Sequence, residues 1–258
     1  MCVAWHERSG LPTGVSVVPI ARNPAPVLAL AARTAHEVSD GQFVLGVGSG
    51  SVTERPIAAV RGYIDELRRT AKDVPIYVGA LGPQMLALAG RHADGAALNW
   101  CTPAQVAWSR ERVAEGARRA GRDPRSVAIH EYIRVCVDTD ETAARLAFAK
   151  MVMTYALARP DADRTKGYRG HFARMGFGAV LDDLESRREA GASDDDLAAR
   201  FPDKFMRRVG YWGRPEGARA AFQKLAAGLD IAIVRLVPAR QNDLAAARLA
   251  MTACAPRD

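Results

Sequence analysis

Five short β-branched or apolar runs punctuate the first 137 residues, and helix-period segments separate them. Val15–Ile20, Phe43–Val47, Pro75–Val78, Ala96–Trp100 and Val127–Val137 read as strands, with a sixth at Asp230–Pro238. Between them, apolar residues recur every three to four positions over Pro24–Ser39 and Ile57–Ala71, and again from Pro83 to about His92 and from Thr102 to Gly121. Such alternation means repeated β-α units around a parallel sheet. The runs are apolar on both faces, as strands covered by helices on each side must be. Residues 138–228 read as largely helical, and a last helix starts at about Gln241. Thr102-Pro103-Ala104-Gln105 has the form of a capping box, and Ser193 caps a short helix through Asp194–Asp196. A closed (β/α)8 barrel and an open doubly wound sheet both suit this order, and a closed barrel takes about 250 residues.

At 258 residues the chain can bury a sizeable core, and no linker, repeat or low-complexity stretch divides it, so it reads as one domain over 1–258. Lys and Arg exceed Asp and Glu by 36 to 29, a balance of +7 that permits an anionic partner without identifying one. The basic pairs lie scattered on helices without interleaved aromatics, which argues against nucleic-acid binding. The four cysteines are widely spaced, with no metal-ligand pattern and no disulfide framework. The start lacks the apolar core of a signal peptide, and no apolar run reaches the length of about 18 residues that a membrane span needs. The expectation is a cytoplasmic protein without metal.

The segment PIYVGALGPQMLALAGRHADGAALNW holds the sharpest chemistry. A strand runs into Gly79-Ala80-Leu81-Gly82, and a helix starts at once with Pro83 at its first position. Amides at such a start lack helical partners, and the helix dipole adds positive potential, which suits a phosphate. A tight turn that merely needs small residues would look the same. Gly46-Val47-Gly48-Ser49-Gly50 resembles half of a dinucleotide fingerprint, but Val52 takes the sixth position and no acid ends the next strand. It is a ligand-facing loop or a plain strand-to-helix turn. Gly14 marks a bulge or a loop. One of His130 and Glu131 faces the barrel interior or mouth, while His171 lines a pocket or simply packs.

TGVSVVPIARNPAPVLALAARTAHEVSDGQFVLGVGSG resembles the central strands of the bacterial luciferase-like superfamily, and PIYVGALGPQMLALAGRHADGAALNW resembles the next two. RVGYWGRPEGARAAF is similar to the superfamily's closing segment. The resemblance implies an α/β TIM-like (β/α)8 barrel that lacks its first two strands and carries a helical insertion before the last. It implies an oxidoreductase using coenzyme F420, or alternatively FMN, for hydride transfer to or from a small organic substrate. Gly79, Ala80, Leu81 and Gly82 would hold the cofactor phosphate, and a non-proline cis peptide near Gly14–Val15 would support the ring. Ser49, Gly50 and Ser51 would form the loop after the family's fourth strand. Some F420-dependent relatives place a glutamate where Ser51 stands, so no catalytic acid is assigned. A luciferase-like FMN monooxygenase is the runner-up, and a non-catalytic flavin-binding or partner subunit the second class. The missing strands imply either a recorded start that is too late or a shortened member, whose barrel must close differently, pair with another chain or fold poorly; a homodimer is the expected assembly.

Overall fold

The computed structural model describes residues 1–240 and 243–256. Two compact units emerge: Met1–Asn99 with Ala107–His130, and Trp100–Val106 with Glu131–Asp258.

The first unit contains α1 (Cys2–Ser9), β1 (Thr13–Pro19), α2 (Ala25–Val38), β2 (Phe43–Gly48), α3 (Pro56–Thr70), β3 (Ile76–Gly79), α4 (Pro83–His92) and β4 (Gly95–Asn99). It also takes α5 (Pro103–Arg119) from Ala107 on and the first residues of β5 (Ala128–Val137). Strands β1 to β4 are successive parallel neighbours, with Thr13 opposite Phe43, Leu45 opposite Ile76 and Val78 opposite Ala96. β2 and β3 are buried along nearly their whole length, which explains their unbroken apolar composition. The ladder between β1 and β2 is irregular between Val15 and Val18, and a non-proline cis peptide joins Ser16 to Val17.

Helix α3 buries Val60, Ile64 and Leu67, the stripe its sequence spacing predicts. Helix α2 buries only alanines, Ala25, Ala29 and Ala32, and leaves Val27, Leu30 and Val38 exposed. Helices α4 and α5 approach through glycine. A Cβ at Gly90 would lie 2.1 Å from the Val113 carbonyl oxygen, and one at Gly116 2.3 Å from that of Ala87. The Asp94 carboxylate accepts the Ile76 N–H at 2.7 Å and pairs with Arg68, tying the turn before β4 to the start of β3.

The second unit takes β5 from Glu131 and then α6 (Glu141–Ala156), α7 (Gly167–Phe172), α8 (Gly178–Glu189), α9 (Asp194–Arg200) and α10 (Asp203–Val209). β6 (Gly210–Gly213), α11 (Pro215–Leu225), β7 (Ile231–Leu236) and α12 (Leu244–Cys254) complete it. β6 runs parallel to β5 with Arg134 opposite Gly210, and β7 pairs with β5. Its core is aromatic, built on Trp100, Phe148, Phe172, Phe177 and Phe201. Buried Glu185 accepts the Ala158 N–H at 2.7 Å and pairs with Arg169 at 3.0 Å.

Several expectations need correction. β6 interrupts the stretch expected to be helical: four residues that begin and end in glycine are too short to show a period. β1 starts at Thr13, so Gly14 is a strand residue; a Cβ there would meet the Val44 carbonyl oxygen at 2.7 Å. Trp100 lies beyond β4 and has a positive φ of 57°. Gln241 lies outside the described residues. Both caps form: the Thr102 hydroxyl accepts the Gln105 N–H, and Ser193 and Asp196 make a reciprocal box. Among the described residues no helix is long and apolar enough to cross a membrane.

Because the Gly90 contact is with backbone, Gly90→Ala should destabilise the fold by roughly 1–3 kcal/mol through overpacking. Denaturant titration checks this, and an unchanged midpoint would contradict the α4–α5 approach.

Candidate functional site

The carboxyl ends of β2 and β3 are shaped by one side chain from β1. A Cβ at Gly48 would lie 2.9 Å from Val17 Cγ2, and one at Gly79 would lie 3.2 Å from Val17 Cγ1. Val17 therefore fills a niche that exists only because two neighbouring strands end in glycine. Gly50 follows with φ 58°, and a Cβ there would press on Pro19 at 2.6 Å. The Val52 N–H donates to the Ser49 carbonyl at 3.1 Å, and Ser51 and Glu54 stay exposed. The cis peptide expected near Gly14–Val15 lies at Ser16–Val17, two residues further along β1, and Val15 stands opposite Leu45.

The turn from β3 to α4 divides the four residues that the sequence groups together. The Ala80 N–H donates to the Ala97 carbonyl at 3.1 Å, so that amide is committed to β4. Gly82 is the N-cap of α4, with φ −101° and no atom within 4 Å of where a Cβ would stand. Pro83 opens the helix, no acidic residue lies in its first turn, and the helical ladder begins with the Leu86 N–H on the Gly82 carbonyl. Amides of a first turn have no helical acceptor, and the dipole places positive potential there. The open N-cap can therefore seat a phosphate, with Gly82 and the first turn of α4 as its donors and Ala80 set behind them.

Three alternate strands supply a layer of side chains in the same unit. Ser16 Oγ and His130 Nε2 share a hydrogen bond at 3.0 Å, and the Tyr77 ring stacks on the imidazole at 4.9 Å between centroids. Contributions from alternate strands are the barrel pattern. Burial pushes His130 down to about 4, so the ring is neutral at pH 7. No spacing in the sequence could reveal this trio, because Ser16 and His130 are 114 positions apart. His130 is thus the member of the His130–Glu131 pair that joins this layer.

In the second unit, the Arg134 guanidinium lies 3.9 Å from the Trp100 ring centroid and 5.0 Å from that of Tyr155. Buried Glu131 accepts the Cys101 N–H on Oε1 at 2.6 Å, while Oε2 has no hydrogen-bond partner among the described residues. Burial raises this carboxyl to about 8. His171 is fully buried, with Nε2 at 2.9 Å from the Trp100 carbonyl oxygen. Among the described residues no cluster of three or more His, Cys, Asp or Glu could hold a metal ion.

Glu131 carries a pH signature. Between its ordinary value of 4.5 and about 8, the folded chain keeps a proton that the unfolded chain releases, so stability falls as pH rises through that window. Glu131→Gln removes this term. Its stability relative to wild type should improve from pH 5 to pH 8 by on the order of 3 kcal/mol. Chemical denaturation at both pH values measures it, and a pH-independent difference would contradict the burial assignment.

Residues 51–230 match the family described as luciferase-like monooxygenase. The chain is 29% identical over 260 residues to the 5,10-methylenetetrahydromethanopterin reductase of Methanolobus tindarius, covering 88% of this chain and 76% of that protein. Among solved structures, the coenzyme F420 dependent tetrahydromethanopterin reductase of Methanopyrus kandleri aligns with a TM-score of 0.71 at 18% identity, over 93% of this chain and 80% of that one. An F420-dependent secondary alcohol dehydrogenase aligns with a TM-score of 0.63 at 16% identity, over 95% and 79%. The TIM-like α/β fold that the sequence leads one to expect is the fold of these neighbours. With well over half of its length inside the matched segment, the chain belongs to the luciferase-like monooxygenase family.

Proposed function

We propose that this protein is an oxidoreductase that moves hydride to or from a small organic substrate with coenzyme F420. The observation that carries the reading is the open, acid-free first turn of α4 immediately after β3. Gly79, Leu81 and Gly82 bound the phosphate position, the amides of Gln84 and Met85 face it, and Ala80 anchors the turn through Ala97. Val17, seated against Gly48 and Gly79, supports the ring from the β1 side, and Ser49, Gly50 and Ser51 border it from β2. Bound F420 supplies a two-electron hydride carrier; the protein's part is to orient it and exclude competing reactions. His130 stays neutral and tied to Ser16, so it holds the β1 strand in place without adding charge beneath the ring. Relatives whose names state F420 dependence favour this cofactor.

FMN is the second reading, because an open helix start receives any phosphate monoester and the matched family is described as monooxygenases. The protein is further read as a cytoplasmic homodimer. The exposed Val27, Leu30 and Val38 form one apolar stripe along α2 that self-association would cover.

Gly82→Trp tests the cofactor site. The backbone there suits any residue and the space is open, so the melting temperature should hold while F420 affinity falls at least about 100-fold. Fluorescence titration reads both cofactors. Unchanged F420 affinity would overturn the site, FMN binding with substrate-dependent oxygen uptake would favour the monooxygenase, and binding of neither by wild type would favour a non-catalytic member. For the dimer, Leu30→Glu should convert a sedimenting dimer to monomer; a wild-type monomer would contradict it.

A further inference from the structure

A cleft of about 720 Å³ opens in the first unit between α3 and α4. Its rim is basic: Arg55 at the N-cap of α3, Arg61 nearly two turns further on, and Arg91 near the end of α4. Its floor is aliphatic, with Ile57 and Leu88, and no carboxylate lines it. Among the described residues neither Arg55 nor Arg91 has an ion-pair partner, and Arg61 reaches only Asp65 of its own helix, at 3.8 Å between exposed side chains. Three arginines thus line a groove that holds no carboxylate among the described residues. His92, also in the lining, has its proton affinity lowered first by burial and then by the charge of Arg61, with Asp65 acting the other way.

The cleft meets the site described above at one residue, Gln84. Gln84, in the first turn of α4, belongs to its lining, and from there the groove follows the helix to His92, about 12 Å at 1.5 Å per residue. A ligand whose phosphate sits at the start of α4 has its next groups at the mouth of this groove. FMN ends at that phosphate. F420 continues beyond it into a chain of carboxylates joined by methylene stems, which matches a cationic rim over an aliphatic floor.

We propose that the cleft between α3 and α4 binds the carboxylate-bearing tail of F420, and that Arg55, Arg61 and Arg91 make this chain select F420 over FMN. The assignment rests on the F420 reading above. Exposed charge pairs are individually weak and screened by salt, so three acting together should give a modest, salt-sensitive preference of about tenfold.

The test compares the binding of two deazaflavins by fluorescence titration: F420 with several glutamates, and the form that stops at the phosphate group. Wild type should bind the tailed form about tenfold more tightly in low salt, and the gap should close in high salt. The double variant Arg55→Glu/Arg91→Glu should bind both forms alike, with the affinity for the tailless form unchanged. Arg55→Gln/Arg91→Gln, the milder change, should fall between, with melting temperatures checked for each. Equal wild-type affinity for the two forms, or an equal loss of both in the variants, would overturn the tail site while leaving the phosphate site standing. Failure of wild type to bind either form would overturn the F420 reading itself.

Discussion

The first turn of α4 is the constraint on which the rest depends. Only Ala80, Leu81 and Gly82 separate the end of β3 from the start of the helix, so the strand delivers the chain almost directly into a helical N-terminus. Pro83 gives up no hydrogen bond at that position, and Gly82 leaves open the space a side chain would fill. The amides that follow must find water or a ligand as acceptor. The bond from Ala80 to Ala97 pins the turn to β4.

The same turn explains the glycines around it. Gly48 and Gly79 lie at the ends of adjacent strands because Val17 occupies the volume their side chains would need. A substitution at either would displace Val17 before it touched any ligand, whereas one at Gly82 meets nothing in the protein. Steric demand from within the fold and room left for something outside it are therefore distinguishable residue by residue. Burial also keeps the titratable groups quiet: the His130 ring is neutral at pH 7, and so is the Glu131 carboxyl. The positive potential at the start of α4 comes from the helix dipole, with no acidic residue in the first turn to cancel it.

Where a feature depends on neighbours in sequence, it is legible from the sequence alone. The strand-helix alternation, the Ser193 box, the Thr102 cap and the α4 start at Pro83 are all local. Where it depends on distant partners, sequence reasoning ran out. The commitment of the Ala80 amide is set by β4, the Ser16–His130–Tyr77 layer joins three strands, and the Arg134–Trp100 stack needs the chain to return on itself. β6 escaped because its Gly-Tyr-Trp-Gly sequence has too few residues to carry a period, and its pairing with β5 creates it. The family resemblance placed the cis peptide in the right strand but two residues early, at Gly14–Val15 instead of Ser16–Val17.

Amide chemical shifts followed during titration with F420 test the central claim most directly. The account predicts the largest changes at Gly82, Gln84 and Met85, with Ala80 little affected because its N–H already serves Ala97. Saturating binding that left the first turn of α4 unperturbed while amides elsewhere moved would contradict it.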